Sequence, residues 1–238
     1  LWVEGFFEVF ATVSLAFILS HIGAVSRRFA LITVYLSITL YLGSGVIGTF
    51  HHLYWSGSPM PVIALGAVFS ALEIVPLTIL GFEAAGNMRV VAKSGAKHPY
   101  RWPIYFFVSV AFWNLVGAGV FGFLINPPIV LYYAQGINTT PIHSHTALFG
   151  VYGLLAIALM LFSVRHIVTR ASWSDSLLKW SFWGLNGGLA AMTVFSLIPS
   201  GFYQFYHAVK YGLWHARSPE IASGEVIRFF SWMRVGPD

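Results

Sequence analysis

The sequence contains no cysteine, and charged residues make up only 9% of its 238 positions. Without cysteine the chain can form no disulfide, no thiolate-ligated metal site and no covalently attached c-type haem. Any metal ion would therefore have to be held by histidine and carboxylate side chains. The scarcity of charge, together with 57% hydrophobic residues, excludes an ordinary soluble domain and indicates an integral membrane protein.

Acidic residues are fewer than basic ones, and the formal net charge is +5. In a chain this apolar, an excess of Lys and Arg is typical of cytoplasmic loops that face anionic lipid headgroups. It is not the pattern of a nucleic-acid-binding surface. We therefore expect membrane lipids, and no nucleic acid, among the partners of the chain.

Several apolar runs are long enough to cross a bilayer as helices, which requires about 20 residues each. They predict an all-α, polytopic transmembrane helical bundle with six spans at about 1–20, 29–52, 60–85, 102–124, 143–165 and 179–200. The segment 201–238 is too polar to span and predicts interfacial or extramembrane helices. Short connections and the lack of a linker or internal repeat favour a single transmembrane domain over residues 1–238.

Basic residues occur in alternate connections, and this pattern predicts the orientation of the spans. Lys and Arg follow the first, third and fifth spans, whereas the second and fourth connections contain none. By the positive-inside rule the basic connections are cytoplasmic, so the first, third and fifth spans run from the outer side inward. Three pairs of ionisable residues then fall in the outer half of the membrane: Glu4 and Glu8, His51 and His52, and His143 and His145.

The two histidines in the stretch PIHSHTALFGVYG are two residues apart, and such residues point about 200° apart on an α-helix. His143 and His145 therefore cannot bind one ion together, but each can serve a different partner on its own side of the helix. The plainer alternative is a pair of histidines that hydrogen-bond to neighbouring helices near the interface. Both interpretations remain open on spacing alone.

The adjacent His51 and His52 differ by about 100° in direction and about 1.5 Å in rise on an α-helix. Both rings can reach one metal ion if the helix end bends, although an interfacial pair without a metal is an equally simple explanation.

Glu4 and Glu8 share a helix face, where two carboxylates in a low dielectric repel unless a cation or a proton lies between them. Glu73 falls near mid-membrane and must be neutral or paired. A protonated Glu73 bonded to a backbone carbonyl beside Pro76 is the structural alternative for that residue. Imidazole suits haem iron, nonhaem iron and copper, and added carboxylates shift the preference from copper toward iron.

Five stretches of the sequence, in order, carry a family resemblance: LWVEGFFEVF, GVIGTFHHLYW, FSALEIVPL, FWNLVGAGVFGF and NPPIVLYYAQGINTTPIHSHTALFGVYG. Together they resemble the catalytic subunit of bacterial nitric oxide reductases, within the haem-copper oxidase superfamily. The last stretch and the WHARSPE segment near residue 214 are most similar to the quinol-dependent type. The similarity runs from residue 1 to about residue 235.

The resemblance implies specific roles for the polar residues. It implies that His143 is the proximal ligand of a high-spin haem b and that His145 is an axial ligand of a low-spin haem b. It further implies that His51 and His52 bind a nonhaem iron, which Glu4 completes or flanks. Glu8 and Glu73 would take part in charge balance and proton supply, and together with Glu4 they are the candidate catalytic residues.

The implied reaction is the reduction of two nitric oxide molecules to N2O and water in the bacterial inner membrane, with electrons from quinol. Two expected ligands are missing, because relatives carry a further iron-binding histidine just before LWVEG and another low-spin haem ligand on an earlier helix. We therefore expect N- and C-terminal parts of the same polypeptide to complete a bundle of twelve or more helices. The alternatives are a copper-containing terminal oxidase that reduces O2, an NO-dismutating relative, and a haem-free transporter or structural subunit.

Overall fold

The computed structural model describes residues 6–23, 25–40, 45–93, 100–169 and 172–234, and every regular element in these ranges is helical. The structure thus confirms the predicted all-α class. The main helices are α1 (Glu8–His21), α2 (Arg27–Ser37), α3 (Met60–Leu72), α4 (Ile74–Lys93), α5 (Arg101–Ile125), α6 (Pro128–Ala134), α7 (Thr139–Ile167) and α8 (Asp175–Tyr211). Three short helices follow, α9 (Leu213–Ala216), α10 (Pro219–Ala222) and α11 (Glu225–Trp232).

Four helical stretches in the described part of the chain are long and apolar enough to cross a membrane. They are Met60–Glu83, Arg101–Ile125, Thr139–Ile167 and Asp175–Tyr211. Each overlaps one of the last four predicted spans. The stretch Met60–Glu83 contains α3 and the first part of α4. Glu73 lies between these two helices and belongs to neither.

The first two predicted spans contain shorter helices within the described ranges. Helix α1 has 14 residues and is apolar, and α2 has 11 and begins after Ser26, whose hydroxyl accepts a hydrogen bond from the Phe29 amide. Residues 1–5 and 41–44 lie outside the described ranges. The count of six membrane crossings therefore stays a prediction.

Helix α8 continues past residue 200, where the last predicted span ends, to Tyr211. The sequence-based boundary rested on the polar residues after this point. One of them, Gln204, is buried. Its side-chain nitrogen donates to the Ala216 carbonyl, and its side-chain oxygen accepts from the backbone amide of Asn138. Because both ends of this side chain are hydrogen-bonded, the helix carries it inside the bundle without an unpaired polar group.

Helices α1, α5 and α7 form the centre of the described bundle. Their buried side chains include Leu15, Leu19, Phe106, Phe107 and Leu154, all in one hydrophobic cluster. Lipid tails are as apolar as these side chains, so close packing of helix surfaces is what holds such helices together. Small residues therefore occur where the backbones meet.

Two glycines bring α5 and α7 into direct contact. A Cβ atom added to Gly117 would lie 2.7 Å from the Thr146 carbonyl carbon, and one added to Gly150 would lie 2.7 Å from the Trp113 Cβ atom. Both contacts involve π-helical segments, Asn114–Phe121 in α5 and Leu148–Gly153 in α7. Such segments are rare and occur often at functional sites.

The turn that precedes α7 is held by the C-terminal segment. The Arg217 guanidinium donates from Nε to the Gly136 carbonyl at 3.2 Å and from Nη2 to the Gln135 carbonyl at 3.3 Å. Gly136 has φ +74°, and a Cβ atom there would overlap the guanidinium. The start of the helix that carries His143 is thereby fixed by residues far along the chain.

Candidate haem and metal site

One cavity of about 300 Å³ brings most of the predicted site residues together. Its walls include Glu8, His51, His52, Glu73 and His143. These residues come from α1, from the 3₁₀ segment Thr49–Leu53, from the turn between α3 and α4, and from α7. Two predicted site residues are not among the described lining: Glu4 lies outside the described residues, and His145 lies elsewhere on α7.

His143 is oriented by a backbone carbonyl of the neighbouring helix. Its Nδ1 atom donates to the Gly117 carbonyl at 2.8 Å, since a carbonyl can only accept. A neutral imidazole with a proton on Nδ1 has its lone pair on Nε2, and metal-binding histidines are commonly oriented by such a second hydrogen bond. Gly122 lies beside the same ring, where an added Cβ would be 3.1 Å from the His143 Cε1 atom.

His145 has different surroundings from His143. It is exposed, and its Nδ1 atom donates to the Pro141 carbonyl of its own helix at 3.0 Å. This bond again leaves the ring lone pair on Nε2 in the neutral form. The two histidines of the HSH stretch thus occupy separate environments, while the haem assigned to each stays a prediction.

His51 and His52 lie on a 3₁₀ segment and not on a continuous α-helix. Successive residues there are about 120° and about 2.0 Å apart, which differs from the spacing used for the α-helical prediction. Their ring centroids are 4.0 Å apart. His51 is buried and its Nδ1 atom donates to the Gly48 carbonyl, whereas His52 is exposed and its backbone carbonyl accepts from the Gln135 amide at 3.2 Å.

The segment after these histidines is also fixed to the bundle. Tyr54 is buried, and its hydroxyl donates to the Pro128 carbonyl at 2.8 Å. Burial raises the pKa of the Tyr54 hydroxyl above its usual value. On the other side, a Cβ atom added to Gly66 of α3 would lie 2.7 Å from the His51 amide nitrogen. The pair of histidines is therefore held between α3 and α6.

Metal binding by the histidine pair needs ligands beyond the pair. Within the described ranges, no group of three or more His, Asp or Glu side chains is arranged to hold a metal ion. Two imidazoles and a carboxylate are donor types that iron accepts, so the chemistry of the available side chains fits the predicted nonhaem iron. Glu4, the further ligand in the prediction, lies outside those ranges.

The two glutamates that line the cavity, Glu8 and Glu73, differ in position. Glu8 is 8% exposed, and the Tyr152 hydroxyl donates to its Oε2 atom at 2.8 Å. Glu73 lies at the turn between α3 and α4, with its Oε1 atom 3.7 Å from the position of a Cβ atom on Gly48. The two carboxyl groups therefore reach the cavity from different helical elements.

Other polar residues of the cavity were not identified from the sequence. They are Ser70, Asn126, Gln135, Thr140, Ser144 and Tyr152. The Asn126 amide donates to the Ser70 hydroxyl at 2.9 Å, and both residues are buried. Ser70 could have been identified from the sequence, because it lies three residues before Glu73 and residues at that spacing share a helix face. Tyr152 had no comparable signal, because its partner is 144 residues away.

The cavity combines imidazole rings, carboxyl groups and amide or hydroxyl groups with apolar walls that include Ala118, Ile125 and Leu131. Imidazole nitrogens can bind haem iron or nonhaem iron, and buried carboxyl groups can hold or release protons. Its volume of about 300 Å³ is large enough for a small reactant. The arrangement is therefore capable of metal-dependent redox chemistry coupled to proton transfer.

Comparison with known proteins agrees with the family resemblance carried by the motifs. A family model described as cytochrome c and quinol oxidase polypeptide I matches residues 1–236. The chain is 28% identical over 247 residues to a nitric oxide reductase subunit from Stutzerimonas stutzeri, an alignment that covers 98% of this chain and 49% of that protein. The chain thus spans about half the length of this curated relative.

Proposed function

Because the chain belongs to the family of cytochrome c and quinol oxidase polypeptide I, we propose that it is part of a nitric oxide reductase that uses quinol as its electron donor. The reaction is 2 NO + 2 e⁻ + 2 H⁺ → N2O + H2O. The similarity to a nitric oxide reductase subunit supports this choice within the family. The observation that carries it is one cavity shared by three histidines and two glutamates.

The ligand roles follow from the family resemblance and are supported by the hydrogen bonds of the rings. In the proposal, His143 binds a high-spin haem b, His145 binds a low-spin haem b, and His51, His52 and Glu4 bind a nonhaem iron. When bound, the high-spin haem and the nonhaem iron would supply metal centres that bind NO, and the low-spin haem would supply electrons. The backbone carbonyls of Gly48, Gly117 and Pro141 orient the rings of His51, His143 and His145, which act as ligands through Nε2.

The carboxyl groups of the cavity handle protons in this proposal. The reaction consumes two protons, and Glu8 and Glu73 are the described acidic residues in the cavity wall. In the proposal, each holds a proton on its carboxyl group for the reaction in the cavity. The Asn126–Ser70 hydrogen bond, on the same wall as Glu73, keeps the neighbouring polar groups in fixed positions.

The proposed setting is the bacterial inner membrane, with the cavity in the outer half of the bilayer. This placement rests on the basic residues of alternate connections and on the four apolar helices. In the proposal the chain contributes six crossings to a bundle of twelve or more. Other parts of the same polypeptide supply the quinol site, the second low-spin haem ligand and the further iron-binding histidine.

Two related reactions compete with this proposal. The family also includes oxidases, as its name states, so reduction of O2 at a haem and copper centre is the main alternative. The carboxylate that the proposal assigns to the nonhaem iron, that of Glu4, favours iron over copper. Dismutation of NO by a similar centre is the second alternative, and it differs in its gaseous products.

The test uses the full-length protein purified from membranes. We expect metal analysis to give two haems b and one further iron for each polypeptide, without copper. With ¹⁵N-labelled NO and a quinol, mass spectrometry should detect labelled N2O at one molecule for every two NO consumed. Copper together with O2 consumption would assign the protein to the oxidases, and labelled N2 with O2 would assign it to NO dismutation.

A further inference from the structure

Tyr152 connects α7 to the buried carboxylate of α1. Its hydroxyl donates to the Glu8 Oε2 atom at 2.8 Å, and Glu8 is 8% exposed. Tyr152 belongs to the π-helical segment Leu148–Gly153, on the same helix as His143. Its ring contacts that of Phe7, with 6.0 Å between the centroids.

Tyr152 also lies at the boundary between two cavities. One is the cavity of about 300 Å³ that contains the histidines. The other is an apolar cleft of about 350 Å³, lined by Phe7, Phe10, Leu155 and Leu159 among others. Tyr152 and Leu148 line both. Tyr152 therefore separates the apolar cleft from the cavity that contains the histidines, and its hydroxyl bonds to the Glu8 carboxylate in the wall of that cavity.

We propose that Tyr152 is a positioning residue that holds the Glu8 carboxyl group at the wall of the histidine cavity. This inference rests on the proposed function, because it assigns to Tyr152 the orientation of a carboxyl group that supplies protons there. Tyr152 does not itself exchange protons with the reactants in this scheme. It acts through Glu8.

The hydrogen bond suits this role in both protonation states of Glu8. A carboxylate accepts a hydrogen bond at either oxygen, and a protonated carboxyl group still accepts at its carbonyl oxygen. The Tyr152 hydroxyl therefore fixes the carboxyl group before and after a proton leaves it. A glutamate side chain has several rotatable bonds, and this donor is one contact that limits their rotation.

The local backbone supports the same orientation. Gly150 packs on the Trp113 side chain, and a Cβ atom at Gly153 would lie 3.0 Å from the Phe149 ring. The Gly150 contact places the π-helical segment against α5, and the Gly153 contact lies within the segment itself. The position of the hydroxyl is thus set by packing and not by the hydrogen bond alone.

The test compares three variants of the full-length protein, Tyr152→Phe, Glu8→Gln and the double substitution. Turnover with NO should fall about tenfold in Tyr152→Phe, the effect expected when a hydrogen bond to an ionisable group is removed. It should fall further in Glu8→Gln. The double variant should be no slower than Glu8→Gln, because Tyr152 acts only through Glu8. Tyr105→Phe is the matched control and should retain wild-type turnover.

Infrared spectroscopy provides a readout that does not depend on turnover. Tyr152→Phe should shift the carboxyl bands that disappear in Glu8→Gln. With ring-deuterated tyrosine, Glu8→Gln should shift the C–O stretch of one tyrosine, and that shift should be absent in the Tyr152→Phe background. If Tyr152→Phe fails to accumulate in membranes, the tyrosine band of Glu8→Gln is the remaining test. A shifted band supports the inference, and an unshifted band overturns it.

The outcomes separate this inference from the proposed function. Unshifted carboxyl and tyrosine bands, or strictly additive losses in the double variant, would overturn the role of Tyr152 even in an active nitric oxide reductase. Shifted bands in a protein that does not reduce NO would leave the positioning role in place and refute the proposed reaction.

Discussion

Helices α5 and α7 are in close contact at Gly117, so Gly117→Ala should push them apart and disturb the site. An added Cβ atom would lie 2.7 Å from the Thr146 carbonyl carbon and 2.8 Å from its oxygen. Ordinary contact begins near 3.4 Å, so the two helices would have to separate by several tenths of an ångström. The obstructing atoms are mostly backbone and cannot swing aside.

The expected cost has two parts. Overpacking of this kind costs about 1–3 kcal/mol. The Gly117 carbonyl also accepts the 2.8 Å hydrogen bond from His143 Nδ1, and a displaced carbonyl would lose about 0.5–1.5 kcal/mol with that bond. We therefore expect Gly117→Ala to lower the stability of the bundle and to loosen the orientation of the His143 ring.

The assay is thermal unfolding of the full-length protein in detergent, together with the visible spectrum of the haem assigned to His143. Gly117→Ala should unfold at a lower temperature and alter the high-spin signal. Gly184→Ala is the matched control, because a Cβ atom at Gly184 in α8 meets nothing within 4 Å among the described atoms. Wild-type melting and an unchanged high-spin signal in Gly117→Ala would refute the described contact between α5 and α7.

Other substitutions test separate parts of the site. His145→Ala should abolish the low-spin haem signal and keep the high-spin one, His143→Ala should do the reverse, and retention of both signals in either variant would contradict the assignment. Glu4→Ala should lower nonhaem iron or turnover with the haem content preserved, and full iron with full activity would count against its role. Gln204→Ala removes two buried hydrogen bonds and should destabilise the protein by about 1–3 kcal/mol in denaturant titrations, unlike Lys210→Ala on the exposed face.

The general architecture was predictable because the membrane limits the possible structures. A backbone inside hydrocarbon must satisfy its own hydrogen bonds, so apolar runs of about 20 residues imply helices. The four long helices fall where those runs lie. Their ends were less predictable, since α8 continues to Tyr211 through the polar Gln204. Composition cannot reveal that Asn138 and Ala216 supply partners for this side chain.

The residue types of the site were predictable, but their surroundings were not. The HH and HSH spacings indicated imidazole ligands, and the family resemblance connected them to glutamates on other helices. Sequence spacing assumed a regular α-helix at His51 and His52, whereas that stretch is a 3₁₀ segment. The hydrogen bonds from His143 to Gly117 and from Tyr152 to Glu8 join residues far apart in sequence, and such pairings depend on how the helices pack.

Packing between helices also explains why the histidines share one cavity. The distance between the elements that carry these histidines is set where a backbone meets another backbone, at Gly66 against the His51 amide and at Gly117 against Thr146. A larger residue at either place would move one set of histidines relative to the other. The glycines in the apolar runs therefore control the geometry of the site as much as the polar residues do, although neither Gly66 nor Gly117 has a functional group that contacts a metal or a reactant.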